Sequence, residues 1–269
     1  MSLELLDLAQ SIAVQAAEYA AERRRSGVAV ADTKSNELDI VTAVDRETET
    51  LIRDLIRQAR PNDAVLGEEG GGVAGSSGLT WVVDPIDGTV NFLYDTGHWA
   101  VSIAVVEGDA EPREWTVLAG AVCNPSSDEL FSAAAGGPAD LNGREIRVNP
   151  APQLAHALVG TGFAYDRAES SRQAAVLAGL LGQIRDVRRA GAASLDLCAV
   201  ACGRLDGYFE ANTKPWDYAA GSLIAECAGA RVGGLAGAPL GGQMVLAAAE
   251  PLFAELDNIL QELAAAPPR

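Results

Sequence analysis

The chain has 269 residues, enough for one large domain or two packed parts with ample core. Its 48% hydrophobic and 21% charged residues are those of an ordinary globular protein. Twenty basic residues against 37 acidic ones leave a formal charge of −17, a field that opposes nucleic acid binding through phosphates. A small anionic substrate is repelled as well, unless a local cation inverts the potential. The acidity therefore argues for a metal in any site that handles anions.

No apolar run reaches 18 residues, and the N-terminus lacks the basic start of a signal peptide. A cytoplasmic protein without membrane attachment is expected. Cys123, Cys198, Cys202 and Cys227 match no zinc or redox spacing and read as small buried residues. His98 and His156 are too few and too far apart for a histidine-based zinc site.

A first helix is expected over residues 3–25, where Leu5, Leu8, Ile12, Ala16 and Tyr19 recur at helical spacing. A second follows Thr42, with Val44, Thr48, Leu51, Leu55 and Ala59 on one face, and stops before Pro61. Residues 64–66 and 80–83 read as strands around a glycine-rich loop at 70–78. Strands at 100–106, 116–122 and 129–133 follow, and Asn142-Gly143 signals a hairpin turn. Beyond Pro150 and Pro152 the pattern alternates. Strands are expected at 157–160, 186–189, 205–210 and 244–248. Helices are expected around Leu177, Leu180, Leu181 and Ile184, at 193–202, at 217–228, and from Leu252 through Leu263. The tail from Ala264 is expected to fray. This is a layered α/β chain of two parts, residues 1–150 and 151–269.

The stretch 81–92 carries the most chemistry. An apolar run ends in Asp84, Pro85, Ile86 and Asp87, followed by Gly88-Thr89. Two carboxylates at a strand end suit a hard divalent cation. The glycine turn offers backbone N–H groups to an anion. A cation site beside an anion site suggests metal-assisted phosphate chemistry.

Four further segments qualify. Glu68 and Glu69 are adjacent acids after a strand, so one serves as ligand while the other supports it or meets solvent. Lys34 precedes Asp39, Thr42 and Asp45, and either Thr42 or Asp45 would cap the second helix. Glu210 precedes Trp216-Asp217, where Asp217 is either an N-cap or a ligand. Arg188 and Arg189, expected as ion-paired structural or interface groups, lead into the small residues Gly191, Ala192, Ala193 and Ser194. Every offered ligand is an oxygen, which favours Mg²⁺ or Mn²⁺ over zinc. No Ser, Cys or His nucleophile has a suitable partner, so direct attack by water is expected.

Taken in order, these segments resemble the inositol monophosphatase family of lithium-sensitive, magnesium-dependent phosphatases. The resemblance runs from about Leu5 to Leu263 and is most specific at residues 81–92 and 216–232. It implies an αβαβα sandwich of the fructose-1,6-bisphosphatase type and a homodimer. It implies two or three Mg²⁺ ions, with Mn²⁺ a possible substitute. Glu68, Asp84 and the Ile86 carbonyl would hold one ion, and Asp84, Asp87 and Asp217 a second. A third, weaker ion would sit near Glu68. Thr89, helped by Asp45, would activate the attacking water. Gly88 and Thr89 would hold the phosphate, while Asp87, Ala193, Glu210 and Asp217 would line the substrate. Glu69 and Lys34 would support the site.

The implied substrate is a phosphorylated polyol or sugar, inositol monophosphate first. Histidinol phosphate, fructose 1,6-bisphosphate and a nucleotide 3′-phosphate are the alternatives. A non-catalytic binding protein is disfavoured because every expected acidic ligand is present. The chain departs from the family pattern at 94–99, at Cys227 and at 211–215, where Lys214 would favour a second anionic group on the substrate.

Overall fold

Alternation along one buried strand organises the molecule, here a computed structural model describing residues 2–27, 30–33, 40–108 and 115–265. Helix α1 (Ser2–Arg25) buries a stripe of Leu5, Ala9, Ile12, Ala16 and Ala20. A two-stranded ribbon, β1 (Val30–Thr33) with β2 (Ile40–Thr42), leads into α2 (Ala43–Ala59). The buried face of α2 is Val44, Asp45, Thr48, Glu49, Ile52 and Ile56. Of the residues expected to share one face, Val44 and Thr48 are buried, Leu51 and Leu55 are half-buried, and Ala59 is exposed. Two of the inward positions are carboxylates, so hydrophobic spacing alone selects the wrong edge of this helix.

The first sheet follows with β3 (Ala64–Gly67), β4 (Gly71–Val73), β5 (Leu79–Asp87), β6 (Ala100–Glu107), β7 (Thr116–Asn124), β8 (Glu129–Ala134), β9 (Ala139–Leu141) and β10 (Arg144–Ile146). Its order is β10-β9-β8-β7-β6-β5-β3-β4, antiparallel except for the β3/β5 pair. The glycine-rich segment expected as loop contains β4. Asn142 and Gly143 both take positive φ (53° and 78°), the backbone a tight β9/β10 turn requires. A short helix not expected from sequence, α3 (Thr89–Tyr94), bridges β5 and β6.

The second sheet contains β11 (Leu158–Thr161), β12 (Asp186–Arg188), β13 (Gly207–Glu210), β14 (Arg231–Gly233) and β15 (Val245–Ala248), in the order β12-β11-β13-β15-β14. The helices between are α4 (Arg167–Leu180), α5 (Ala193–Ala201) and α6 (Pro215–Cys227), with α7 (Leu252–Ala265) last. Helix α4 starts at the Asp166 cap and ends before Leu181, which is exposed, and Ile184, which is buried beyond the helix. Residues 266–269 of the expected frayed tail lie outside the described residues, and α7 continues to Ala265.

Every residue of β5 is buried, because helices cover both faces. Trp81 and Val83 pack with α1 and α2, while Val82 packs with α5 and α6. The second sheet lies beyond α5 and α6 and is closed by α4 and α7. Five layers result, alternating helix and sheet, which is the expected αβαβα sandwich. The middle helix layer is tight. A Cβ on Gly221 would lie 2.8 Å from Leu197 Cβ, and one on Gly120 would lie 3.0 Å from the Ala220 backbone. Among the described residues no helix is long and apolar enough to cross a membrane.

Candidate active site

The end of β5 breaks its own alternation. Asp84 lies opposite Ser102 and Asp87 opposite Ala100, so three steps on β5 face two on β6. One extra residue is inserted, and the side-chain parity flips across it. Before the bulge, Trp81 and Val83 face α1 and α2. After it, Ile86 packs on that same side with Val44, Phe92 and Trp99. Asp84 and Asp87, which an unbroken strand would send to opposite faces, therefore both line one cavity. The Ile86 N–H donates to Asp84 Oδ1 at 3.0 Å and sets this turn.

The cavity holds about 610 Å³, within the range of small-molecule sites. Its wall brings together Glu68, Asp84, Ile86, Asp87, Gly88, Thr89, Ala193, Glu210 and Asp217. Glu69 points elsewhere: its side chain is 7% exposed and faces Arg46 of α2 at 4.0 Å. Lys34 lies outside the described residues.

Gly88 must be glycine on two counts. Its φ is +91°, and a Cβ would lie 3.1 Å from the His98 carbonyl and 3.2 Å from that of Gly191. Asn91 ties the same loops together, donating to the carbonyls of His98 and Ala190 at 2.8 Å each. The Thr89 hydroxyl has one proton to give, to Asp45 Oδ1 at 3.2 Å or to the Ile86 carbonyl at 3.3 Å. Both candidate caps of α2 act together. Asp45 Oδ2 accepts from the Thr42 N–H (2.9 Å) and hydroxyl, and Thr42 Oγ1 accepts from the Asp45 N–H at 3.4 Å.

Asp217 is not the N-cap of α6. The helix opens at Pro215, and Asp217 Oδ2 accepts from the N–H of the capping residue Lys214 at 2.6 Å. Asp87 Oδ2 accepts from the N–H of Ser194, at 2.8 Å, and from its hydroxyl. Glu210 accepts from the Tyr208 hydroxyl at 2.7 Å, in room left by Gly162. Arg188 is ion-paired with Asp186 as expected, whereas Arg189 and Lys214 line the cavity.

Burial pushes Asp87 up to about 6 against the pull of Ser194, and Glu210 adds to the rise. Burial also lifts Asp217, reinforced by Glu68 and Asp87, and lifts Asp196, reinforced by Glu210 and Asp87. The wall thus repels itself, and a cation would relieve that repulsion. Among the described residues no three His, Cys, Asp or Glu side chains meet as a ready-made metal cluster. The donors that converge are nonetheless carboxylate oxygens beside a bare turn, which fits hard divalent cations.

Asn91, Ser194 and Tyr208 escaped the sequence reading as supports of the site, and so did Glu49, which lies behind the cavity wall. Ser194 was legible only as a small residue at a strand-to-helix junction. The loop partners of Glu49 sit 20 and 21 residues away, and its local partner, Arg53 at i+4, reads as an ordinary helix ion pair.

Carboxylates gathered beside a bare glycine turn suit phosphoryl chemistry, and the family that the chain matches is one of phosphoric monoester hydrolases. A sequence model of the inositol monophosphatase family matches residues 2–267, and the chain belongs to that family, whose members use divalent metals. It is 43% identical to the inositol-1-monophosphatase SuhB of Mycobacterium tuberculosis, covering 96% of this chain and 93% of the relative. It is 36% identical to the Nus factor SuhB of Escherichia coli, covering 96% and 97%. The solved inositol monophosphatase of Anabaena superposes with a TM-score of 0.83 at 33% identity, covering 99% and 97%.

Proposed function

We propose that the enzyme hydrolyses inositol monophosphate to inositol and phosphate with two or three Mg²⁺ ions. The observation that carries this reading is the β5 bulge, which turns Asp84 and Asp87 into the same cavity as Glu68 and Asp217. Glu68, Asp84, Asp87, Asp217 and the Ile86 carbonyl would hold the ions, with Mn²⁺ a possible substitute. When bound, such cations neutralise charge developing on the phosphoryl and leaving oxygens.

The chain's own groups do the rest. Backbone N–H groups at Gly88 and Thr89 receive the phosphate, since the first N–H groups of a helix have no partner within it. Thr89 orients the attacking water. As the water oxygen bonds to phosphorus and the ester P–O bond breaks, the water proton passes to Thr89 Oγ1, the Thr89 proton passes to Asp45 Oδ1, and the leaving polyol oxygen takes a proton from solvent water. The Thr42 bonds hold Asp45 ready to receive it. Glu210, fixed by Tyr208, accepts from a polyol hydroxyl near Ala193. In this reading the parts 1–150 and 151–269 meet at the cavity. The first supplies Asp45 through Thr89, and the second supplies Ala193, Glu210 and Asp217.

Lys214 and Arg189 in the wall favour a second reading, a substrate carrying another anionic group such as fructose 1,6-bisphosphate or a nucleotide 3′-phosphate. Histidinol phosphate is the remaining competitor. Comparing kcat/KM across these esters decides among them. The reaction class is tested by phosphate release with and without Mg²⁺. Loss in EDTA, restoration by Mg²⁺, inhibition by Li⁺, and a fall of at least about 100-fold in Asp87→Asn are expected. Full activity in EDTA would sink the proposal. The reading extends to a cytoplasmic homodimer. Four unpaired cysteines support the location, and sedimentation at micromolar concentration tests the dimer.

A further inference from the structure

Helix α2 approaches the site twice. Asp45 reaches Thr89, and one turn later Glu49 lies on the same buried face with its side chain 3% exposed. The β3/β4 hairpin closes between Gly67 and Gly71, so Glu68, Glu69 and Gly70 form its three-residue loop. Gly71 takes the positive φ, +64°, that such loops use. The Glu49 carboxylate sits beneath this loop. Its Oε2 accepts from the Glu69 N–H at 2.7 Å, and its Oε1 accepts from the Gly70 N–H at 2.8 Å. A Cβ on Gly67 would come within 2.6 Å of the Glu49 carboxyl carbon, and one on Gly70 within 2.8 Å of Oε1. Contact that close is open only to bare Cα atoms.

Arg53, one further turn along, completes the clamp. Its Nε donates to Glu49 Oε1 at 2.7 Å, and its Nη2 donates to the Gly71 carbonyl at 2.6 Å. The middle and the C-terminal end of the loop are therefore tied to α2 by charge-assisted hydrogen bonds from outside the cavity. Inside the cavity the loop presents one side chain, Glu68, close enough to raise Asp217. Glu49 neither lines the cavity nor reaches substrate space.

We infer that Glu49, braced by Arg53, is a positioning residue that holds the loop of residues 68–70 and thereby sets the cation affinity of Glu68. The inference rests on the reading of Glu68 as a cation ligand. A carboxylate on a free hairpin loop samples many directions, and ordering it must be met from the binding energy. A loop anchored at two N–H groups and a carbonyl has met that cost on folding. Glu49 and Asp45 share one rigid helix, so the orientation of Glu68 is referenced to the same element as the Thr89 contact.

The test uses Glu49→Gln in the full-length chain. The amide keeps the shape, but its NH₂ meets an N–H and its pairing with Arg53 is weakened. Mg²⁺ titrated by calorimetry, without substrate, should bind about tenfold more weakly than in the unaltered protein. Hydrogen exchange at the Glu69 and Gly70 amides should quicken, while kcat at saturating Mg²⁺ is retained. Unchanged Mg²⁺ affinity in a folded Glu49→Gln protein overturns the inference. Should that variant fail to fold, Arg53→Met decides on the same calorimetric readout: weaker Mg²⁺ binding supports the clamp, and unchanged binding rejects it. Glu68→Gln separates the two layers of the argument. If it leaves Mg²⁺ binding intact, the assignment of Glu68 as a ligand fails. If it weakens binding while Glu49→Gln does not, only the positioning role fails.

Discussion

Thr89 has a hydroxyl with a single proton and a buried carboxylate to receive it. Thr89→Val keeps the shape and removes the relay. We expect kcat to fall by about 10²–10⁴-fold while Mg²⁺ binding measured by calorimetry stays put. Wild-type turnover in this variant would mean that water is activated without Thr89. Thr89 was singled out from sequence because a hydroxyl after Asp-Gly is locally conspicuous. Its partner Asp45 was locally legible only as one of two alternative caps of α2, and the structure joins it with Thr42 in a reciprocal box. That one carboxylate both caps the helix and accepts from Thr89 depends on how α2 packs against β5.

At the scale of elements, the site depends on interruptions of regular structure. The bulge in β5 turns two carboxylates to one side, and the glycine turn after it starts α3. Close packing in the middle layer then holds Ser194 against Asp87. Gly221→Val would drive a side chain into Leu197 Cβ and the Ser194 carbonyl. A loss of about 1–3 kcal/mol in chemical denaturation is expected, with reduced activity as Ser194 shifts.

Below β5 lies a structural carboxylate, Asp63. Burial alone would raise it, yet hydrogen bonds from Arg60, Ser77 and Trp81 together hold it below the ordinary value of 3.8. Its contribution to stability is full above that value and is lost as pH falls through the lower folded-state pKa. The Tm gap between wild type and Asp63→Asn should therefore be constant from pH 7 to about 5 and narrow on acidification below about 4. A gap that widens in acid would contradict the assignment.

Across the whole molecule, carboxylates from residues 68 to 217 are pressed into one cavity of a chain with net charge −17. Bound cations should then stabilise the fold as well as enable the chemistry. Mg²⁺ at about 100 times its dissociation constant should add about 2.7 kcal/mol, read as a rise in Tm that Na⁺ at matched ionic strength does not reproduce. Equal shifts with both salts would reduce the effect to screening.

Much of this protein was readable along the chain. The longer strands, most helices, the Asn142-Gly143 turn and the acidic segments of the site each declare themselves within about ten residues, whereas the short strands β1, β2, β4 and β14 do not. Propensity, capping and turn chemistry are local, and so is the family resemblance carried by residues 81–92 and 216–232. Other features had no local sign. The buried edge of α2 includes Asp45 and Glu49, which hydrophobic spacing treats as surface. Arg189 reads as an ion-paired structural or interface group but lines the cavity. Asp84 and Asp87 read as one cation site from sequence, but strict alternation would send them to opposite faces, and the bulge in the pairing of β5 with β6, marked locally by Pro85, is what reunites them. Asp87 meets Ser194 across 107 positions for the same reason. Which groups share a cavity is settled by how layers pack and strands register, and neither is a property of any short stretch of chain.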